Sequence, residues 1–402
     1  MRVLFFAPYI YDETRPEFSK TSSGFGYMVN DILRGVSEEN EVYLATHQFS
    51  AGYRDTYTAC RHTKGDFLKG INKKNIKDGI RDFFSKGVSF NNRLHFLYYQ
   101  LDEGSIENIV NRVNPDIIHI HGLTFQTKAI IDFCMKRNFK FIVTLHGLNG
   151  LDNSVNLPKV EKDYEYYGLK KFEDNHITVT VVSSGIKKRI VENYSLSGNN
   201  IKVILNGTSF NSIDRDTQVR KEHEKYNILC VGTVSERKNQ IQLIRACALL
   251  PQNVKDKVRV FVVGGNATQM DVQDEISKRG LSEIIRYCGF VPREKMTSLW
   301  EKADLNVVMS KSEGFGLSMI EGFAYGVPTL TFGDIDALID LYDEKEMEII
   351  PDRSDKSVAT SIEESLGKSW DHQYIKAMSR KYSLKNICEQ YNMLYKAEIE
   401  KK

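Results

Sequence analysis

The chain has 402 residues, 41% of them hydrophobic and 27% charged, with 55 Lys and Arg against 53 Asp and Glu for a net charge of +2. That length exceeds one ordinary core, so two domains are expected, and so balanced a charge excludes a dedicated nucleic-acid binder. Six cysteines (Cys60, Cys134, Cys230, Cys247, Cys288, Cys388) with no C-x-x-C pair exclude a cysteine zinc site or disulfide framework and point to free thiols in a reducing compartment.

Residues 3–7 form a short apolar run closed by Pro8, read as a buried parallel strand. The run is too short for a signal peptide, and no segment approaches membrane-spanning length, so a cytoplasmic protein is expected. After polar, glycine-bearing residues 9–27, a helical pattern starts near Met28. Residues 41–45, 116–121, 141–146, 178–183 and 201–205 are further strands, with a helix after 121 and another from Gly185. Residues 53–99 break this alternation. They are basic (Arg61, Lys64, Lys69, Lys73, Lys74, Lys77, Arg81, Lys86), with Ile76, Ile80 and Phe83/Phe84 at helical spacing. Either such a helix packs by its apolar face and solvates its basic one, or segment 61–87 touches anionic lipid or a lipid-linked acceptor. Charged residues 214–225 read as a linker. The pattern then restarts with strands at 227–232, 258–265, 284–289, 305–309 and 329–332 and a helix from about Gln240. The expected fold class is α/β, with two Rossmann-like domains facing each other across a cleft. The domains are 1–210 and 211–383, and a final helix, 384–402, carries Ile387, Tyr391, Leu394 and Tyr395 back onto the first.

Ligands in open α/β sheets bind beyond the carboxyl ends of strands. Such ends here carry Gly24-Phe-Gly26, His121-Gly122, His146-Gly147, Gly232, Gly264-Gly265 and Gly289. The most informative stretch is Glu313-Gly-Phe-Gly-Leu-Ser-Met-Ile-Glu321, followed by Gly-Phe-Ala-Tyr-Gly-Val-Pro328. A loop acid and a helix acid bracket a Gly-x-Gly turn whose bared N–H groups can seat an anion. That combination suits a sugar on a diphosphate and a ribose. Reading the acids merely as helix-dipole partners leaves the glycines unexplained.

With these residues in place the chain resembles the retaining glycosyltransferases of the GT-B fold, group 1 (family 4), over most of its length and best over 304–328. The resemblance implies that residues 1–210 bind the acceptor and 211–383 the nucleotide-sugar donor, with UDP as the nucleotide. It implies that Glu313 contacts the donor sugar and Glu321 the ribose, with backbone N–H groups of Phe315, Gly316 and Leu317, and Ser318, at the sugar diphosphate. Lys238, in Val231-Gly-Thr-Val-Ser-Glu-Arg-Lys-Asn239, falls on the family's phosphate lysine, but Thr233 stands where the family has an arginine. Arg237 is then the candidate second cation for the leaving diphosphate. His146 matches the family's histidine near the donor sugar, Gly24 and Gly26 its glycine loop, and Phe290 and Val291 its base-holding segment. His121 is open between site and core, and the core is favoured for His119, which shares its strand face. Asn206-Gly207 reads as a tight turn. Asp334-Ile-Asp336 lies downstream of the donor motif and reads as a loop, so no metal or other cofactor is expected. The implied partners are a nucleotide-sugar and a saccharide or lipid-linked acceptor, in polysaccharide or glycolipid assembly. Placement would be cytoplasmic, peripheral on the inner membrane face. A GT-B sugar phosphorylase or epimerase, or a non-catalytic partner subunit, are the alternatives; epimerases of this fold lack the E-G-F-G-L run.

Overall fold

A computed structural model describes all residues except 16, 19–22, 85–88, 152–156, 210–224, 267–270 and 402. The expected boundary at 210/211, Lys86 and all but the last residue of the expected linker lie outside the described residues. The chain forms two compact units, Met1–Leu205 with Leu384–Lys402, and Asn206–Ser383.

The first unit runs β1 (Arg2–Phe6), α1 (Gly24–Val36), β2 (Glu41–Ala45), β3 (Tyr53–Arg54), β4 (Thr58–Ala59), α2 (Lys64–Gly70), α3 (Lys73–Phe83), α4 (Phe90–Val113), β5 (Ile117–His121), α5 (Phe125–Arg137), β6 (Phe141–Leu145), α6 (Lys159–Asp174), β7 (Val179–Val181), α7 (Ser184–Tyr194) and β8 (Ile201–Val203). The sheet order is β3-β4-β2-β1-β5-β6-β7-β8, parallel except for the β3–β4 hairpin. The five central residues of β5 and of β6 are all buried, as a parallel strand covered on both faces requires. Register places His119 beside Phe5 and Ile142, and His121 beside Thr144.

Two expectations change here. The Gly24-Phe-Gly26 segment is not a loop ahead of the helix. It is the first turn of α1, capped by the Ser23 hydroxyl, which accepts from the Gly26 N–H. A Cβ on Gly26 would meet the Tyr11 Cβ at 2.7 Å and its N at 2.8 Å, so close backbone approach explains that glycine. The α3 helix is amphipathic but does not bury its apolar stripe. It packs on α4 through Asn75 and Gly79, while Ile76 is 41%, Ile80 50% and Phe84 70% exposed. Gly79 sits so close to Leu97 that this small-residue side makes the contact.

The second unit runs β9 (Tyr226–Val231), α8 (Gln240–Ala248), α9 (Gln252–Lys255), β10 (Val258–Val263), α10 (Val272–Lys278), β11 (Ile285–Gly289), α11 (Arg293–Trp300), β12 (Leu305–Val308), α12 (Leu317–Ala324), β13 (Thr329–Phe332), α13 (Leu338–Leu341), β14 (Met347–Ile350), α14 (Asp355–Gly367) and α15 (His372–Met378). Its parallel sheet is ordered β11-β10-β9-β12-β13-β14, the 3-2-1-4-5-6 order of a dinucleotide-binding domain. The strand β14 is additional to those read from sequence. Four residues with a half-buried pattern carry too little periodicity to announce it. The main core joins Ile228, Val260, Val262, Leu305, Val307 and Leu330 of the sheet to Leu243, Cys247 and Val358 of the helices. Finally α16 (Leu384–Glu400) packs on α1 and β5 of the first unit, burying Ile387, Tyr391, Leu394 and Tyr395.

Candidate functional site

In the second unit the strand order reverses between β9 and β12, and ligands bind at such a switch point. The two loops leaving these strands carry the predicted donor residues. After β9 the chain turns through Gly232, whose φ of 144° and closeness to Lys238 Cε (3.3 Å from where a Cβ would stand) require glycine. The following turn is closed by the Ser235 hydroxyl, which accepts from the Lys238 N–H at 3.1 Å. After β12 comes the loop holding Glu313, then α12.

The two loops converge. Lys238 Nζ donates to Glu313 Oε2, and Arg237 Nη1 lies 4.0 Å from the same oxygen. Arg237 Nη1 also donates to the Ser312 carbonyl at 3.0 Å, and the Lys311 N–H to the Arg237 carbonyl at 2.8 Å. The Ser310 hydroxyl completes the shell of Glu313 Oε2 at 3.1 Å. Burial opposes ionisation of Glu313, but Lys238, Arg237 and these hydrogen bonds outweigh it and hold the carboxyl below its ordinary range.

Beside this cluster α12 begins at Gly316, the N-cap, at φ 84° and with no side chain capping the helix. Its first N–H groups therefore have no side-chain acceptor, in the geometry that receives an anion. Phe315 is buried with its ring against Tyr382, at 6.1 Å between centroids. Leu317 is the first helical residue, and Ser318 is buried with its hydroxyl unpartnered. Glu321 lies one turn further along α12, half-buried. Phe290 and Val291 follow β11; the Phe290 ring is exposed and Val291 packs against Trp300 and its neighbours. Asp334 is engaged by Arg353 in a two-point ion pair at 2.6 and 3.0 Å.

Sequence reasoning missed Gln240. It is 1% exposed, and its Nε2 donates to the Gly232 carbonyl at 2.9 Å and the Thr233 carbonyl at 3.3 Å. A buried amide that opens a helix and reaches back eight residues leaves no periodic signal.

In the first unit His146 follows β6. Its Nε2 is 3.0 Å from His121 Nδ1, and its ring meets Phe25 edge-on at 5.0 Å. Desolvation pushes His146 down to about 4, so it is neutral at pH 7. His119 is a core residue, bonded to the Tyr395 and Thr144 hydroxyls at 2.6 Å each. His121 is fully buried between His119 and His146, with Nε2 unpartnered. Asn206 and Gly207 form no tight turn; Asn206 is buried with its Oδ1 unpartnered. Among the described residues no three His, Cys, Asp or Glu are grouped to hold a metal ion, and no helix is long and apolar enough to cross a membrane.

The family described as glycosyl transferases group 1 matches residues 212–382, and glycosyltransferase family 4 matches residues 24–211. The chain belongs to the group 1 glycosyltransferases. This family member is 27% identical over 197 residues to the O-antigen chain mannosyltransferase B of Escherichia coli, covering 47% of this chain and 52% of that protein. The first three curated relatives are matched over 52%, 59% and 60% of their lengths. Among solved structures, sucrose-phosphate synthase of Thermosynechococcus elongatus aligns with a TM-score of 0.74 at 15% identity, over 99% of both chains. Anabaena HepE in complex with UDP and glucose aligns with a TM-score of 0.68 at 15% identity, over 99% of this chain and 100% of that one. The group 1 glycosyltransferase thus has the GT-B fold, in the mixed α/β form described above.

Proposed function

We propose that the chain is a retaining, metal-independent hexosyltransferase. It moves a sugar from a UDP-sugar to a saccharide or lipid-linked acceptor in polysaccharide or glycolipid synthesis. The observation that carries this reading is the convergence of Lys238 and Arg237 on buried Glu313, beside the uncapped start of α12. As the bond from the sugar C1 to the phosphate oxygen breaks, the diphosphate gains charge. Two cations and a helix N-terminus supply the field to stabilise it. Glu313 serves the sugar, Glu321 accepts from the ribose hydroxyls, and the backbone at Phe290 and Val291 meets the base. His146, kept neutral, is an uncharged hydrogen-bonding partner for the donor's sugar and phosphate. The acceptor oxygen attacks C1 from the face the phosphate leaves, and its proton passes to the departing phosphate oxygen. The UDP assignment draws on HepE, a protein of this fold described with UDP-glucose. The polysaccharide assignment draws on the O-antigen mannosyltransferase.

The same reading includes peripheral binding at the inner membrane face. The exposed stripe of Ile76, Ile80 and Phe84, with Lys73, Lys77 and Arg81 on the same helix, fits an anionic bilayer.

A panel of nucleotide-sugars in thermal shift tests the donor: a UDP-sugar raises the melting temperature, and no response to any nucleotide-sugar defeats the reading. The anomeric configuration of the product tests retention; an inverted linkage overturns it.

A further inference from the structure

Beyond the carboxyl ends of β1 and β2 lies a recess of about 280 Å³ whose walls include Tyr9, His47, Phe49, Tyr98, Tyr99 and Gln126. It lies wholly in the first unit. Tyr9 packs on Phe25 at 5.1 Å and Phe25 on His146 at 5.0 Å, so the recess stands two rings from the histidine of the proposed reaction.

Its floor is built on a buried ionic cluster. His47 Nδ1 is 2.7 Å from Asp102 Oδ2, and His47 Nε2 is 2.6 Å from the Gln126 carbonyl. Both His47 nitrogens are thus engaged, and its ring is fixed. The other Asp102 oxygen receives His62 Nε2 at 2.9 Å and the Ser105 hydroxyl. Asp102 is 0% exposed. Burying such a cluster is a poor route to stability compared with apolar packing. What it does is lock α4, α5 and the segment after β2 around one hollow.

The wall chemistry is specific. Gln126 Nε2 donates to the Tyr99 hydroxyl oxygen at 2.6 Å, so the pair retains one donor, the Tyr99 hydroxyl proton, and one acceptor, Gln126 Oε1. Tyr9, Phe49, Tyr98 and Tyr99 make the lining strongly aromatic. An aromatic lining with one donor and one acceptor matches a pyranose, with its apolar C–H face and polar hydroxyl rim. An apolar chain would leave the Tyr99–Gln126 pair unsatisfied.

We infer that this recess seats the terminal sugar ring of the acceptor. The inference rests on the glycosyltransferase reading. It assigns the acceptor's reacting end to a saccharide and its binding to Tyr99 and Gln126.

Saturation-transfer NMR on the full chain tests it. The methyl glycosides of mannose, glucose and galactose are each presented at millimolar concentration, with UDP as a second probe. At least one glycoside should show transfer. Its signal should be lost in Tyr99→Ala and in Gln126→Leu, while UDP transfer stays unchanged in whichever variant keeps the wild-type melting temperature. UDP transfer with no glycoside signal overturns the recess assignment and leaves the glycosyltransferase reading standing. Glycoside signals that survive both substitutions also overturn it. Glycoside transfer without UDP transfer overturns the UDP assignment, and the recess assignment then stands or falls on the two substitutions alone.

Discussion

Glu313→Gln should separate donor binding from turnover. Without donor, Lys238 and Arg237 both serve the Glu313 carboxylate, so a diphosphate must compete for two cations with a group that is 8% exposed and stays beside it. At roughly 4–7 Å and an effective dielectric of about 20, one unit pair is worth roughly 2–4 kcal/mol before rearrangement. Taking about a third to a half of that for groups that shift and solvent that returns, removing the charge should tighten UDP by roughly tenfold, or about 1.4 kcal/mol. Turnover with a working donor should fall about 10²–10³-fold, the loss typical of removing one preorganised transition-state contact. The unliganded variant should also melt lower, because Lys238 loses its carboxylate partner in a site where its side chain is only 16% exposed. UDP should recover more melting temperature in the variant than in the wild type. Titration calorimetry with UDP, paired with thermal shift, reads all of this. Equal or weaker UDP binding by a folded Glu313→Gln would refute the idea that Glu313 and the diphosphate share Lys238 and Arg237.

Arg237→Ala should weaken UDP binding, and adding Thr233→Arg in that background should restore part of it; no restoration means that position 233 no longer reaches the diphosphate. Gln240→Leu leaves the Gly232 and Thr233 carbonyls without their buried donor and should cost about 1–3 kcal/mol in chemical denaturation, with weaker UDP binding; an unchanged midpoint would remove Gln240 from the turn. His119, His121 and His146 are all held below the ordinary histidine value of 6.5 by desolvation, His146 at about 4. The unfolded chain therefore binds more protons below pH 6.5, and stability should fall with acidity at up to about 1.4 kcal/mol per pH unit for each. His62 is opposed by its own burial but raised overall by Asp102, so its contribution is complete below 6.5 and fades only as pH rises through its folded value. Melting temperatures at pH 5, 6 and 7 should rise in that order, and a flat profile would contradict the buried neutral histidines. Ile80→Glu and Phe84→Glu should abolish flotation with phosphatidylglycerol vesicles without lowering the melting temperature, since both side chains are already half or more exposed. Persistent binding by both would place the lipid contact elsewhere.

The alternation of apolar runs and the glycines at strand ends made both sheets readable, because parallel strands covered on both faces need continuous apolar sequence. The same logic failed at β14, a four-residue strand, and at the start of α1, where glycines read as loop are helical because Ser23 caps them. It failed again on α3. Periodicity reports that a helix has an apolar stripe; whether that stripe is covered depends on its neighbour, and here Gly79 offers α4 a closer approach than Ile76 or Ile80 would. The cluster of His47, His62 and Asp102 was invisible for a different reason: its members are 15 to 55 residues apart, and only packing of α4 against the segment after β2 joins them.

In the proposed donor site the individual residues were legible and their pairing was not. Lys238 and Glu313 lie 75 positions apart along the chain. They meet because β9 and β12 are neighbours at the point where the strand order reverses, so that the loop after each strand opens on the same edge. That topology also bears on the arginine absent at Thr233. Gln240 holds the Gly232 and Thr233 carbonyls, the Ser235 hydroxyl closes the next turn, and Arg237 is delivered against Ser312 and Glu313. On the proposed reading, the second cation is supplied from four residues further along. On that reading, two positive charges face one carboxylate and one helix N-terminus, the second of them delivered from position 237 at the far end of the turn.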